Sequence, residues 1–234
     1  MPIAFQLYSA KRFPEGNKFG TEDQLYLTID HEQNRENVHT TVALKNAEFR
    51  DGVARYICNH DFLTKLKYPG RARNMQFEQF VTNYQFPLYL FRQADQDRPM
   101  IIISTKGPVA ENFIERLNHR ENFQGIERHV DFERLRALLK NIRGAWFHKM
   151  TVSNLSTTGL FGPHVDRSDE FKHAERRGKL HSLIVPHRFH DAEYVLTITE
   201  RGTVVVFDTL ETEEEGVDLI GDVQRKLLNR CWDM

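Results

Sequence analysis

The chain has 234 residues, a formal net charge of −1, and 40% apolar and 28% charged residues, the balance of an ordinary globular protein with room for a buried core. Near-neutral charge excludes a global pull toward nucleic acid or an anionic membrane, so any such binding needs a local patch. Two cysteines, Cys58 and Cys231, exclude a disulfide scaffold and a thiolate zinc site, and no apolar run is long enough for a membrane span or clean enough for a signal peptide, so the expectation is a cytoplasmic protein.

Ile3, Phe5 and Leu7 alternate with Ala4, Gln6 and Tyr8, the period of a strand with one buried face. A Gly- and Lys-containing loop follows over 11–23. Leu25, Leu27 and Ile29 alternate again, as do Val38, Thr40, Val42 and Leu44, with a polar connection between them. Asp51-Gly52 marks a turn, and Val53–Cys58 makes a fourth strand. Asp61 can cap a short helix through Lys67, stopped by Tyr68-Pro69-Gly70, and Phe77, Phe80, Val81 and Tyr84 suit a second helix from Met75. The Pro-Gly-Arg-Ala-Arg segment between them predicts a boundary. It separates a β-meander region, 1–74, from an α+β domain, 75–234, unless the two form one continuous domain.

Phe86–Arg92 and Met100–Ser104 read as strands, and Pro108 opens a helix whose apolar face is Ala110, Phe113, Ile114 and Leu117. Asp131 predicts an N-cap. The stripe Phe132, Leu135, Leu138, Leu139, Ile142 then predicts a helix ended by Gly144. Trp146–Val152 and Leu155–Phe161 read as strands broken at Ser153-Asn154, and the polar stretch 162–178 as an exposed loop. Leu180–Val185 is a strand closed by Pro186, and Glu200-Arg201-Gly202 joins a hairpin. Glu213-Glu214-Glu215 starts a final helix with acids at its head and bases at its tail. These elements predict an α+β fold, mainly antiparallel sheet covered by three or four helices.

Three basic clusters are the leading functional signal. Arg136, Lys140 and Arg143 would line one helix face; Lys65, Lys67, Arg71 and Arg73 surround Tyr68; Lys172, Arg176, Arg177 and Lys179 follow. Such rows can track phosphates, and an aromatic among them can stack on an unpaired base. The expected function is therefore a non-enzymatic cytoplasmic binding protein contacting nucleic-acid phosphates through Arg71, Arg73, Arg136, Lys140, Arg143, Arg176 and Arg177. A second class is an assembly subunit, a homo-oligomer formed through a strand edge or a component of a larger complex, with no membrane partner.

Chemistry-bearing motifs are sparser. Ser104-Thr105-Lys106-Gly107, where a strand opens a helix, could hold an anion on free N–H groups, though no P-loop or G-x-G-x-x-G is present. His164, Asp166, His181, His187 and His190 offer the imidazole and carboxylate donors of zinc or iron. The leading expectation is no cofactor; these residues support a third class, a metal-dependent phosphoesterase or nuclease, which would need a divalent metal. The spacing matches no established ligand motif. Asp166, Asp169, Glu170 and Lys172 contain an E-x-K of the carboxylate–lysine kind, in a segment that is polar throughout.

Overall fold

Strand dominates the chain. The computed structural model, which describes residues 2–72, 75–92, 99–152 and 155–232, is 58% strand and 22% helix. The expected helix-covered α+β fold is thus corrected to a mostly antiparallel sheet fold. Contacts gather into two units, Ser9–Ile126 and Met1–Tyr8 with Glu127–Met234. Strand β1 (Ile3–Arg12) starts in the second of these and ends in the first.

The 9–126 unit holds β2 (Lys18–Ile29), β3 (Glu32–Arg50), β4 (Val53–Ala72), β5 (Met75–Phe91), β6 (Met100–Ser104) and α1 (Gly107–Asn118). Its ladder runs β2-β3-β4-β5-β6-β1, and β7 (Gln124–Glu127) also pairs with β1. Two hairpins are far longer than expected. In the first, Asp30 and His31 turn the chain at φ 50° and 66°, the left-handed pair whose twist suits a tight hairpin. The polar residues expected to be a connection, 32–37, are consequently the start of β3.

The second hairpin overturns both early helices. Residues 61–67 and 75–84 are paired strands, with Phe62 opposite Thr82 and Leu63 opposite Val81. The spacing of Phe77, Phe80, Val81 and Tyr84 imitates a helix, but these are aromatic and β-branched residues, which gain more from cross-strand packing than from a helix lying alone. The register shifts between Lys65 and Gly70, so Tyr68-Pro69 stands in an irregularity where the missing proline N–H removes no ladder bond. At its far end β2 pairs back onto β5, Ile29 against Phe77.

The core of this unit is the predicted strand–helix nucleus. Leu88, Ile101, Ile102, Ile103, Phe113 and Leu117 are buried. Phe86 meets the Phe113 ring edge-on at 5.1 Å, so each such ring contributes about 1.5–3 kcal/mol through burial. A polar network is buried beside it. Thr40 Oγ1 hydrogen-bonds His60 Nδ1 at 2.8 Å, and Asn112 Oδ1 is 3.2 Å from His60 Nε2. Arg116 reaches both Thr40 and Asn112, and pairs with Asp23 at 3.6 Å.

The other unit holds α2 (Phe132–Leu138), β8 (Gly144–Val152), β9 (Leu155–Phe161), α3 (Asp169–Arg177), β10 (Lys179–Phe189), β11 (Ala192–Thr199), β12 (Thr203–Val206) and α4 (Glu213–Lys226). Its ladder is β1-β12-β11-β10-β8-β9. Asp131 caps α2 as expected, accepting from the N–H groups of Glu133 and Arg134. The helix nevertheless stops at Leu138, not near Gly144. Past it the backbone is claimed by sheet neighbours: Arg143 N–H donates to Ile184 and Arg143 C=O accepts from Gly162. Gly144 is no helix cap. It opens β8 where an added Cβ would lie 2.9 Å from Ile184 Cδ1 and 3.2 Å from Phe161 Cδ1.

The expected loop 162–178 contains α3. Ser168 caps it, Asp169 and Glu170 head it, and Arg176 and Arg177 close it, each complementing the peptide dipole. Only Phe171 and Ala174 are buried on it, too short a stripe for periodicity to register. Strand β10 also runs through Pro186. Its pairing with β8 ends at Ile184, so a proline beyond that point breaks no bond on that edge. The break expected at Ser153-Asn154 lies outside the described residues.

Candidate metal centre

Strand β10 pairs with β8 in a register that slips. Lys179 faces His148, Leu180 faces Phe147, and Ser182, not His181, faces Trp146. His181 is therefore the extra residue of a bulge, the device by which a sheet re-aims one side chain. A second irregularity follows His148 on the other side of β8, where pairing with β9 shifts between His148 and Val152. Lys149 there has φ 52°, a left-handed conformation that a lysine adopts at some cost in strain.

The outcome is a stack of two imidazoles, with ring centroids of His148 and His181 at 4.9 Å and 29° between their planes. Glu200 joins them from the turn after β11, fixed by its N–H donating to His181 C=O at 2.9 Å. One ligand atom from each of His148, His181 and Glu200 lies within 4.8 Å of the other two, and all three side chains are half-buried. Lys179 completes the site through an ion pair to Glu200.

The electrostatics suit a cation. Burial, then the charges of His181 and Lys149, hold the His148 imidazole below its ordinary pKa and so neutral. Burial alone would raise Glu200, but the hydrogen bond and charge of Lys179 outweigh it and keep the carboxyl ionised. Neutral imidazole and ionised carboxylate are the forms that ligate metal. His148 Nε2 is moreover shut from solvent with no hydrogen-bond partner among the described residues, and a buried nitrogen left so costs about 1–3 kcal/mol. Two imidazoles with one carboxylate are the donor set of a catalytic zinc that keeps a fourth position open, and of facial iron sites.

Of the five ligands expected from sequence, the fold brings only His181 to this cluster. His187 is buried and donates from Nε2 to Asp222 Oδ2 at 2.9 Å. His190 is an exposed turn residue at φ 49°, its ring 4.1 Å from that of Phe189. His164 is exposed and precedes a 3-10 turn that carries Asp166. No sequence signal joins His148 and Glu200 to His181, because both stand far from it along the chain. The only legible hint was Glu200-Arg201-Gly202, the turn that ends a strand adjacent to β10.

The helical row expected of Arg136, Lys140 and Arg143 does not form, because α2 ends at Leu138. Arg136 pairs with Glu175 at 2.9 Å and Arg143 with Glu193 at 2.6 Å. Lys172 pairs with Asp169 at 3.2 Å. Lys140, Arg176, Arg177 and Arg71 are exposed, whereas Arg73 lies outside the described residues. At the expected anion turn, Lys106 directs its ammonium over the Tyr84 ring at 5.7 Å, and α1 starts at Gly107 with no side-chain cap. Ser104 and Thr105 are half-buried there.

Among the described residues, no helix is long and apolar enough to cross a membrane. Comparison with known proteins finds no matching family model and no matching curated relative.

Proposed function

We propose that the protein holds a divalent transition-metal ion on His148, His181 and Glu200 and uses it on a phosphate ester. The observation that carries this reading is the convergence of one ligand atom from each of His148, His181 and Glu200 within 4.8 Å, in a cluster where His148 Nε2 is buried with no hydrogen-bond partner among the described residues. An ion held by His148, His181 and Glu200 would supply Lewis acidity to a phosphoryl oxygen and would lower the pKa of a bound water toward ~7. In hydrolysis the water oxygen forms the new P–O bond, the ester P–O bond breaks, and the departing alcohol takes up a proton. Lys179, across the ladder from His148, supplies positive charge for an anionic ester.

Equilibrium dialysis against zinc tests the binding, with bis(p-nitrophenyl) phosphate as the hydrolytic probe. One ion per chain is expected, together with hydrolysis that a chelator abolishes and that His181→Ala does not support. A protein that takes up no zinc, manganese or iron overturns the reading.

A second reading, contact with nucleic-acid phosphates, has one observation in its favour. Arg176 and Arg177 end α3 as exposed cations with no ion pair among the described residues, two or three positions before Lys179. Affinity for single-stranded oligonucleotides that falls steeply with salt would support it, and no binding at low salt would end it.

A further inference from the structure

We propose that Lys179 is the counter-cation of Glu200 and becomes the cation that receives an anionic ligand once a metal ion takes that carboxylate; this rests on the metal reading above. The Lys179 ammonium holds the Glu200 carboxylate, and the two side chains are 56% and 19% exposed. A dication competes for the same carboxylate oxygens with twice the charge, so metal and ammonium exclude one another there. Displaced from Glu200, Lys179 cannot go far. Its backbone is fixed directly opposite His148 in the β8–β10 ladder, where cross-strand side chains are neighbours. Its head therefore remains beside the His148–His181–Glu200 cluster, and its half-exposed side chain gives it the freedom to reorient.

A lysine in that setting is a mobile point charge, suited to a phosphate oxygen and unsuited to shape-specific recognition. The ligand class is accordingly a small or terminal phosphate, and uptake is ordered: metal first, then anion. Linkage makes the effect mutual, so phosphate must tighten metal as much as metal tightens phosphate. The mechanism also explains why a carboxylate aimed at two imidazoles does not repel anions from the loaded site. Once Glu200 is neutralised by the ion, Lys179 contributes its whole charge to the incoming ligand.

Calorimetry on the full chain, with zinc alone and then inorganic phosphate on the zinc-loaded protein, separates the steps. Lys179→Met should raise zinc affinity about fivefold, the worth of a partly exposed ion pair, and lower phosphate affinity about tenfold. Lys179→Arg should retain phosphate binding. Lys149→Met removes a nearby charge that is not paired to Glu200, and should change phosphate affinity less than threefold. If wild-type protein binds zinc but Lys179→Met alters neither affinity, or if Lys149→Met matches it in both, the role of Lys179 is overturned and the metal centre stands. If wild-type protein binds no zinc, both are overturned.

Discussion

Replacing His148 by Leu separates the cost of the centre from its use. The imidazole leaves Nε2 buried with no hydrogen-bond partner among the described residues, a penalty of about 1–3 kcal/mol unless a metal ion takes it. Leucine removes that penalty and still packs on the His181 ring, forfeiting about 0.5–1.5 kcal/mol of ring stacking. The metal-free variant should therefore be about 1 kcal/mol more stable than wild type. Zinc reverses the order. At a hundredfold excess over Kd, an ion that binds only the folded state adds about 2.7 kcal/mol to wild type, and the variant, lacking one ligand, gains little. The assay is urea unfolding with chelator and with zinc, followed by tryptophan emission, because Trp146 and Trp232 both lie in the unit that holds the site. A variant less stable than wild type under both conditions would refute the reasoning, since His148 would then be a packing residue.

Three further outcomes are expected. Gly144→Ala places a Cβ 2.9 Å from Ile184 Cδ1, and this overpacking should cost about 1–3 kcal/mol in thermal unfolding; an unchanged midpoint would show that the β8–β10 contact yields freely. His60 is pushed down to about 4 by burial and then by Arg116, whereas in the unfolded chain it titrates near ~6.5. The unfolded state therefore binds the proton first, so stability is whole above pH ~6.5 and falls by up to about 3 kcal/mol as pH drops toward ~4. His60→Gln should lose that limb of the pH–stability curve, and a wild-type curve flat across it would contradict the buried, neutral assignment. Replacing Arg176 and Arg177 together by Ala should flatten the salt dependence of oligonucleotide binding by a slope of about 1–2, with an unaltered slope placing the contact elsewhere.

The legible parts of this fold were those where local chemistry and tertiary demand agree. Met100–Ser104 leading into Pro108 is one, since apolar run, proline and helical stripe all point the same way. Asp131 as a cap and Gly202 as a turn are others, each a local backbone requirement met by its own residue. The acid-headed final helix is a fourth. Illegible were segments whose state is set by a distant partner. Residues 61–67 and 75–84 have helical spacing but are strands because each supplies the other's ladder. Residues 139–143 keep an apolar stripe yet leave the helix, and at Arg143 β10 and Gly162 take the backbone N–H and C=O. The signals for α3 were present in Ser168, Asp169, Glu170 and Gly178, but its apolar face spans a single turn.

The centre was harder still to read. A one-residue slip in a sheet moves a side chain to the opposite face, and the slip that brings His181 beside His148 has no signature in either strand alone. Residue counting places Ser182 and His181 on opposite faces. The bulge breaks that alternation, and only the paired register reveals it. Clustered histidines along the sequence, His187 and His190 above all, drew attention to a strand end whose imidazoles separate in the fold, one against Asp222 and the other in a turn.

X-ray absorption at the zinc edge of the zinc-loaded protein tests the metal centre most directly. Two imidazole nitrogens at about 2.0–2.1 Å with oxygen at about 2.0–2.2 Å and no sulfur shell are expected, the imidazole signal halving in His148→Leu. A sulfur distance near ~2.3 Å, which would bring in Cys58 or Cys231, or a shell of oxygens without imidazole, would contradict the assignment to His148, His181 and Glu200.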